Sequence, residues 1–351
     1  MANQLVTLLD ITKRKGNDQA INVLEDTITH APELSALMGR PIPGTQYKTL
    51  HRSLPTVAFR QANAGSDTVK GKYRQSLHEC FIIDAQMQAD KAVVDASAPS
   101  SPDSPQADIG DLLFDEAQGV VMGTYIAIGS QLYYGTSNDT NGFTGIQSLT
   151  PSLNAAKNQQ PVVITAAGAT SSVQSSCYLV WENLRGAHFI FGNNSGLTML
   201  PEWRIQQVLG TNSKPLTAYV NNLQGWIGFA VNHPLSVARI ANIQVGQATL
   251  TSLTDALVAQ MLSFIPLQMR SEVIAHLNTG GPNKFGPGLK LFMNPMVAYT
   301  LQASRSPTSS GTGTAITASD ELKFAQLPLA SNGIPIVYTD SITNTEAVVT
   351  A

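Results

Sequence analysis

At 351 residues and 43% hydrophobic content the chain is long and apolar enough to bury a sizeable core, and it is not of disordered composition. Asp, Glu, Lys and Arg make up only 13% of it, about half the ~25% of average soluble proteins; this suits a surface hidden against partners, since interface cores are depleted of charge, although a coat of Ser, Thr, Asn and Gln would give the same figure. A net charge of −3 with no basic cluster beyond Lys13, Arg14 and Lys15 argues against a tight nucleic-acid grip, and no apolar run reaches the ~18 residues of a membrane span.

The opening Ala2-Asn3-Gln4 lacks the charged-then-apolar pattern of a secretory leader. Residues 1–40 read as a helical arm with two apolar stripes, Leu5/Leu8/Leu9 and Ile21/Leu24/Ile28, separated at Gly16-Asn17-Asp18 and stopped by Pro41, Pro43 and Gly44. Residues 45–90 read as an extended β-excursion. Its outgoing strand holds Tyr47, Leu50, Val57 and Phe59, a turn falls at Asn63-Ala64-Gly65-Ser66, and the return carries Lys70, Lys72 and Arg74. It ends in strict alternation, with Phe81, Ile83, Ala85 and Met87 on one side. A two-stranded arm so poor in large apolar residues near its turn has no core of its own and must rest on something. The Pro/Ser run 96–107 reads as a linker. From Asp108 to Tyr134 the apolar spacing predicts a long helix ended by Gly135. Gly119, Gly123 and Gly129 each cost that helix about 1 kcal/mol relative to Ala, which suggests close approach of other backbone. Tyr178–Trp181 and Ala187–Phe191 flank a turn at Asn183–Gly186 and read as a hairpin. Leu216–Val220, Gly225–Val231 and Val237–Ile243 read as three further strands. Residues 252–277 read as helix, with Ser252 and Asp255 at capping-box spacing and a division at Pro266. A strand at Leu289–Met293, a short helix from Asn294-Pro295, a Ser/Thr/Gly loop at 306–319 and a strand from Gly333 complete the chain.

Little catalytic chemistry is on offer. Phosphate-cradling glycine motifs and the nucleophile elbow are absent, and the six histidines show no metal-ligand spacing. Asp139-Thr140-Asn141-Gly142 opens like a calcium loop but lacks the distal glutamate. His188 and His233 lie among apolar strand residues and are expected as satisfied core or interface side chains. Trp181, Trp203 and Trp226 are expected in packing rather than as a stacking platform. Cys80 and Cys177 are expected as buried thiols. No catalytic residue, cofactor or metal is expected.

Four stretches, however, carry a likeness that covers most of the chain: LVTLLDITKRKGNDQAINVLEDTITHAPELSAL, GTQYKTLHRSLPTVAFRQANAG, YLVWENLRGAHFIF and GIPIVYTDSITNTEAVV. In this order they resemble tailed-bacteriophage major capsid proteins of the HK97-type fold. The resemblance implies an α+β fold with an N-terminal arm at 1–40, an extended loop at 41–80, and a peripheral domain at 81–135 and 176–250 built on a spine helix at 108–134. A connection at 136–175 and an axial domain at 251–351 complete the division. GIPIVYTDSI falls nearly at the end of the chain, which suggests permuted connectivity. The chain opens on the arm, so no scaffolding segment is expected ahead of it. The resemblance further implies a structural protein, not an enzyme, that forms pentamers and hexamers of an icosahedral shell around double-stranded DNA, without sequence-specific binding and without a membrane. Its partners would be itself, a portal protein, and scaffolding or decoration proteins. It would be made and assembled in the host bacterial cytoplasm and end in the virion. An inter-subunit contact between Lys70, Lys72 and Arg74 and the spine's Asp111, Asp115 and Glu116 is one expectation; the helix dipole alone also explains those acids. An encapsulin-like nanocompartment and a soluble carbohydrate-binding protein are the alternatives.

Overall fold

The computed structural model describes residues 29–97, 105–155, 160–210, 213–245, 253–266, 288–305 and 327–350. The two stripes of the arm, the helix beyond Pro266 and the 306–319 loop lie outside the described residues. A helical turn α1 (Glu33–Ala36) leads into β1 (Gly39–Pro41), β2 (Gln46–Ser53), β3 (Lys72–Glu79) and β4 (Phe81–Asp90). Then come α2 (Lys91–Ser97), the spine α3 (Pro105–Tyr134), α4 (Ile146–Leu149), β5 (Val162–Thr165), β6 (Gln174–Trp181) and β7 (Ala187–Phe191). After these follow β8 (Thr198–Met199), β9 (Arg204–Leu209), β10 (Pro215–Val231), β11 (Val237–Gln244) and α5 (Asp255–Phe264), and the chain closes with β12 (Leu289–Met293), α6 (Pro295–Ser304), β13 (Ala330–Ser331) and β14 (Ile334–Tyr338).

These strands build two six-stranded sheets and a separate two-stranded ribbon, β2–β3. The first sheet runs β1-β7-β10-β4, with β8 and β9 also on β10; the second runs β13-β14-β12-β6-β11-β5. Two sequence expectations change here. The turn at Asn183–Gly186 is present, with the Gly186 N–H donating to the Asn183 carbonyl at 2.9 Å, yet β6 and β7 do not pair as a hairpin: β6 lies in the second sheet and β7 in the first. The segments at 216–220 and 225–231 are one 17-residue strand, β10, and β11, which follows it, crosses to the second sheet. The cause is the pairing of the two excursions with each other. β7 runs antiparallel to β10 and β6 antiparallel to β11, so a single bent ribbon passes through both sheets. Its corner is closed by Asn232, which donates from its backbone to Gly186 and from its side chain to Leu184. Consequently β6 and β11, which the expected division assigned to the peripheral domain, share a sheet with β12 and β14 of the expected axial domain.

The second sheet is covered on both faces, as the uninterrupted burial of β6, β11 and β12 shows. One face packs Cys177, Leu179, Ile240 and Leu291 under α5 and α6 (Val258, Met261, Val297, Leu301). The other packs Tyr178, Val180 and Phe292 against Ile128, Leu132 and Tyr133 at the end of α3, together with Phe189 and Phe229 of the first sheet. The start of α3 lies on the first sheet, with Ala117, Val120 and Val121 against Met87 and Leu223. The spine therefore spans both units. It begins at Pro105, so Asp108 lies inside it rather than at a cap, and it ends where Gly135 takes φ +53°. Helix α5 is capped by Thr254, whose Oγ1 accepts from the Leu257 N–H at 3.2 Å, and stops two residues short of Pro266; Ser252, expected at the cap, lies outside the described residues. Helix α6 is capped by Asn294, as its Asn-Pro start predicts.

Candidate assembly surface

Strands β2 and β3 pair from Gln46↔Glu79 to Ser53↔Lys72. Beyond them the chain runs out and back through residues 54–71 as extended coil, with a turn at Gln61–Ala64 where Asn63 adopts φ 63°. The polarity of this ribbon is inverted. Its inner face carries Tyr47, His51, Arg74, Ser76 and His78, whereas its outer face carries Leu50, Tyr73 and Leu77, all exposed. Further out Leu54 and Val57 are 78% and 75% exposed, and Phe59 is fully solvated at 106%. The root is the part packed into the body's apolar core. Tyr47 packs on Ile42, Cys80, Ile190 and Ala230 and accepts from Arg40 Nη1 at 2.9 Å.

The spine presents a second apolar surface. Phe114, Met122 and Tyr125 are exposed along it, at spacings that place them on one side of a helix. Of the three glycines expected to admit close backbone, Gly129 instead meets side chains, where an added Cβ would strike those of Ser341 and Glu33, and Gly119 and Gly123 face open space. The expected contact residues fall on these two elements. Lys70, Lys72 and Arg74 are exposed on the ribbon, Arg74 on its inner face, and Asp115 and Glu116 are half-buried on the first half of α3, where Asp111 also lies.

Two buried polar hubs tie the chain's ends to this frame, and sequence reading missed both. Arg239, in the middle of β11, is fully buried; its Nη2 pairs with Glu346 at 2.9 Å, its Nε donates to Ser176 Oγ at 2.9 Å and its Nη1 to the Thr150 carbonyl at 3.2 Å. Nearby, the Asn242 side chain donates to the Val349 carbonyl (2.9 Å) and accepts from its N–H (2.8 Å), as a β-strand would. The second hub is Glu33 of α1, which accepts from Thr339 Oγ1 beside Tyr133 and Ser341. Burial raises its carboxyl above the ordinary carboxylate range against the opposing hydrogen bonds of those hydroxyls.

The remaining candidates resolve individually. No group of three or more His, Cys, Asp or Glu suited to a metal exists among the described residues. Asp139 Oδ1 accepts from the Asn141 N–H at 2.9 Å, an ordinary Asx turn. The three tryptophans pack in separate clusters. Both cysteines are buried free thiols, pushed up by burial to about 11 (Cys80) and about 12 (Cys177). His188 differs from expectation: it is fully buried, yet neither ring nitrogen meets a well-formed hydrogen-bond partner.

Comparison with known proteins agrees with this architecture. The family model described as major capsid protein GP7 matches residues 41–350, while no curated protein matches the chain. The capsid structure of bacteriophage Epsilon15 superposes at a TM-score of 0.62 with 19% identity, covering 100% of this chain and 99% of that one, which establishes the HK97-type capsid fold. Smaller likenesses are found to the capsid of the native GTA particle (TM-score 0.43, 10% identity, 65% and 95% covered) and to that of Myoviridae phage XM1 (0.42, 8%, 63% and 94%). With a family model spanning nearly the whole chain and a fold matched from end to end, the chain belongs to the major capsid protein GP7 family and is a structural shell protein of a bacteriophage capsid.

Proposed function

We propose that this subunit assembles into pentamers and hexamers that close an icosahedral shell around double-stranded DNA, and that it has no catalytic role. The inverted ribbon carries this reading. A two-stranded ribbon is marginal alone, and one that turns Leu50, Tyr73, Leu54, Val57 and Phe59 to solvent gains stability only when another surface covers that face. At roughly 25 cal/mol per Å² of apolar area removed from water, burying these side chains on a sister subunit yields several kcal/mol per contact. That energy is repeated at every subunit of the shell. The exposed side of the spine is the complementary apolar surface. We assign the peripheral unit to the first sheet with the ribbon and the first half of α3, and the axial unit to the second sheet with α5 and α6. Net charge −3 and the sparse basic residues fit a container that encloses DNA without gripping it. Portal, scaffolding or decoration proteins would be the other partners, with assembly in the host cytoplasm.

Within the same reading, Lys70, Lys72 and Arg74 meet Asp111, Asp115 and Glu116 of a neighbour. Exposed pairs contribute about 0.2–1 kcal/mol each, so the triple reversal Lys70→Glu, Lys72→Glu, Arg74→Glu should raise the concentration needed for assembly severalfold. The spine reversal Asp111→Lys, Asp115→Lys, Glu116→Lys should restore it. Negative-stain microscopy and sedimentation read both effects, and an unchanged assembly threshold in the first variant removes this pairing. No feature favours a nanocompartment or a carbohydrate-binding protein.

A further inference from the structure

We infer that the ribbon is clasped to its own subunit by a histidine seat that releases in acid, freeing the ribbon while the body stays folded. The inference does not depend on the pentamer and hexamer reading.

Four of the chain's six histidines converge where the ribbon meets the body. His51 of β2 meets His233 of the β10–β11 corner edge to face, ring centroids 5.2 Å apart. Tyr47 of β2 stacks on His78 of β3 at 6.2 Å and meets His188 of β7 edge-on at 5.8 Å. Arg40 of β1 lies over the Tyr47 ring at 5.0 Å. Between ribbon and body is a cleft of about 720 Å³ lined by His51, Arg74, His78 and His233 among hydroxyl and amide groups, with no carboxylate in its lining. Among the described residues, every charged or titratable side chain facing this seat is therefore basic, apart from Tyr47 and the Cys80 thiol, whose titration burial pushes up to about 11. Glu79 faces outward against Gln46, and Glu182 is paired with Lys290.

Such a seat is stable only while its imidazoles are neutral. Protonation places like charges at His51 and His233, 5.2 Å apart, and at His78 and His188 on either side of Tyr47, beside two arginines, in a partly dehydrated space where no anion among the described residues compensates them. Burial lowers His78, His188 and His233; at His188, lowered to about 4, the Asn183 backbone opposes burial and Arg40 and His78 add smaller contributions to it, and His51 adds to the effect at His233. The sign follows from linkage. A histidine with a depressed value in the closed state contributes its full stability above the released value of about 6.5, and that contribution falls away as pH drops toward 4. The seat is also mechanically separable. The ribbon joins the body through Gly44, at φ +81°, and Cys80, and of the β2 and β3 side chains Tyr47 alone joins the buried hydrophobic cluster at its root.

Hydrogen exchange by mass spectrometry on the full-length protein as purified tests this, after correction for the intrinsic pH dependence of exchange. Between pH 7 and pH 5 the protection of 46–53 and 72–79 should fall by more than about tenfold relative to strands β11 and β12. In the variant His78→Gln, His188→Gln, His233→Asn that selective loss should vanish. Ribbon peptides that track the body strands across this range, or a variant that keeps the wild-type response, overturn the inference. Should the triple variant misfold, His233→Asn alone decides. It retains an acceptor for the Leu235 N–H now capped by His233 Nδ1, and an unchanged pH response in it overturns the inference equally.

Discussion

Arg239 occupies a position where an aliphatic residue would be the ordinary choice, between Ala238 and Ile240 in a strand with no exposed residue. Its charge is tolerated because Glu346, Ser176 and Thr150 satisfy the guanidinium, and because Tyr178 lies against it, 5.5 Å from ring centroid to guanidinium carbon. Removing one member of such a pair strands the other in a dehydrated site. Arg239→Met or Glu346→Ala should each cost about 3–5 kcal/mol, read by urea denaturation of the unassembled chain, whereas Arg239→Met with Glu346→Leu should recover most of that loss. Single variants as stable as the wild type would show that the pair contributes nothing. Glu33 makes the opposite pH prediction to the histidine seat. Its carboxyl is raised by burial, so the stability of the α1 junction is complete below the ordinary carboxylate value and falls as pH rises through the raised one. Glu33→Gln should abolish that alkaline loss, and denaturation midpoints measured at pH 5 and 8 check it. Arg239 was visible in the sequence as a lone charge in an apolar run. Its partner was not, because 107 residues separate them and nothing local to ITNTEAVV marks Glu346 as buried.

Among elements, the ribbon was the most legible. The lack of apolar residues able to form a core near its turn is a local property, and the structure leaves that face uncovered. Phe59→Ser with Val57→Ser should therefore leave the stability of the unassembled chain within about 0.5 kcal/mol and raise the assembly threshold markedly. Calorimetry separates the two effects from light scattering, and a large loss of monomer stability would mean that the tip packs on its own chain. The spine was legible in length and end, since its spacing and Gly135 are local signals. The strands at 178–191 and 216–243 were legible as strands but not in their pairing. Asn183–Gly186 has the composition of a tight turn, and a turn has the same composition whether it reverses a strand within one sheet or hands it to another. The segments of β10 were split across residues 221–224, where Asn221 and Asn222 have turn composition. In the structure they lie in a continuous strand bonded on both edges, to β4 along most of its length and to β9, β8 and β7 in turn.

For the whole molecule, low charge and extended arms pointed to association, and the order of elements pointed to the capsid fold. Neither could reveal which strands share a sheet, because that depends on contacts far apart along the chain. The bent pair of strands that runs through both sheets has a mechanical consequence. Any twist of one sheet against the other must flex both corners together, at Glu182–Gly186 and Asn232–Ser236, while α3 braces the same junction from behind. The body should thus respond to load as a stiff angled plate. Differences in curvature between one lattice position and another would then be taken up by the ribbon at its Gly44 joint, so that the shell bends at its seams while its tiles keep their shape.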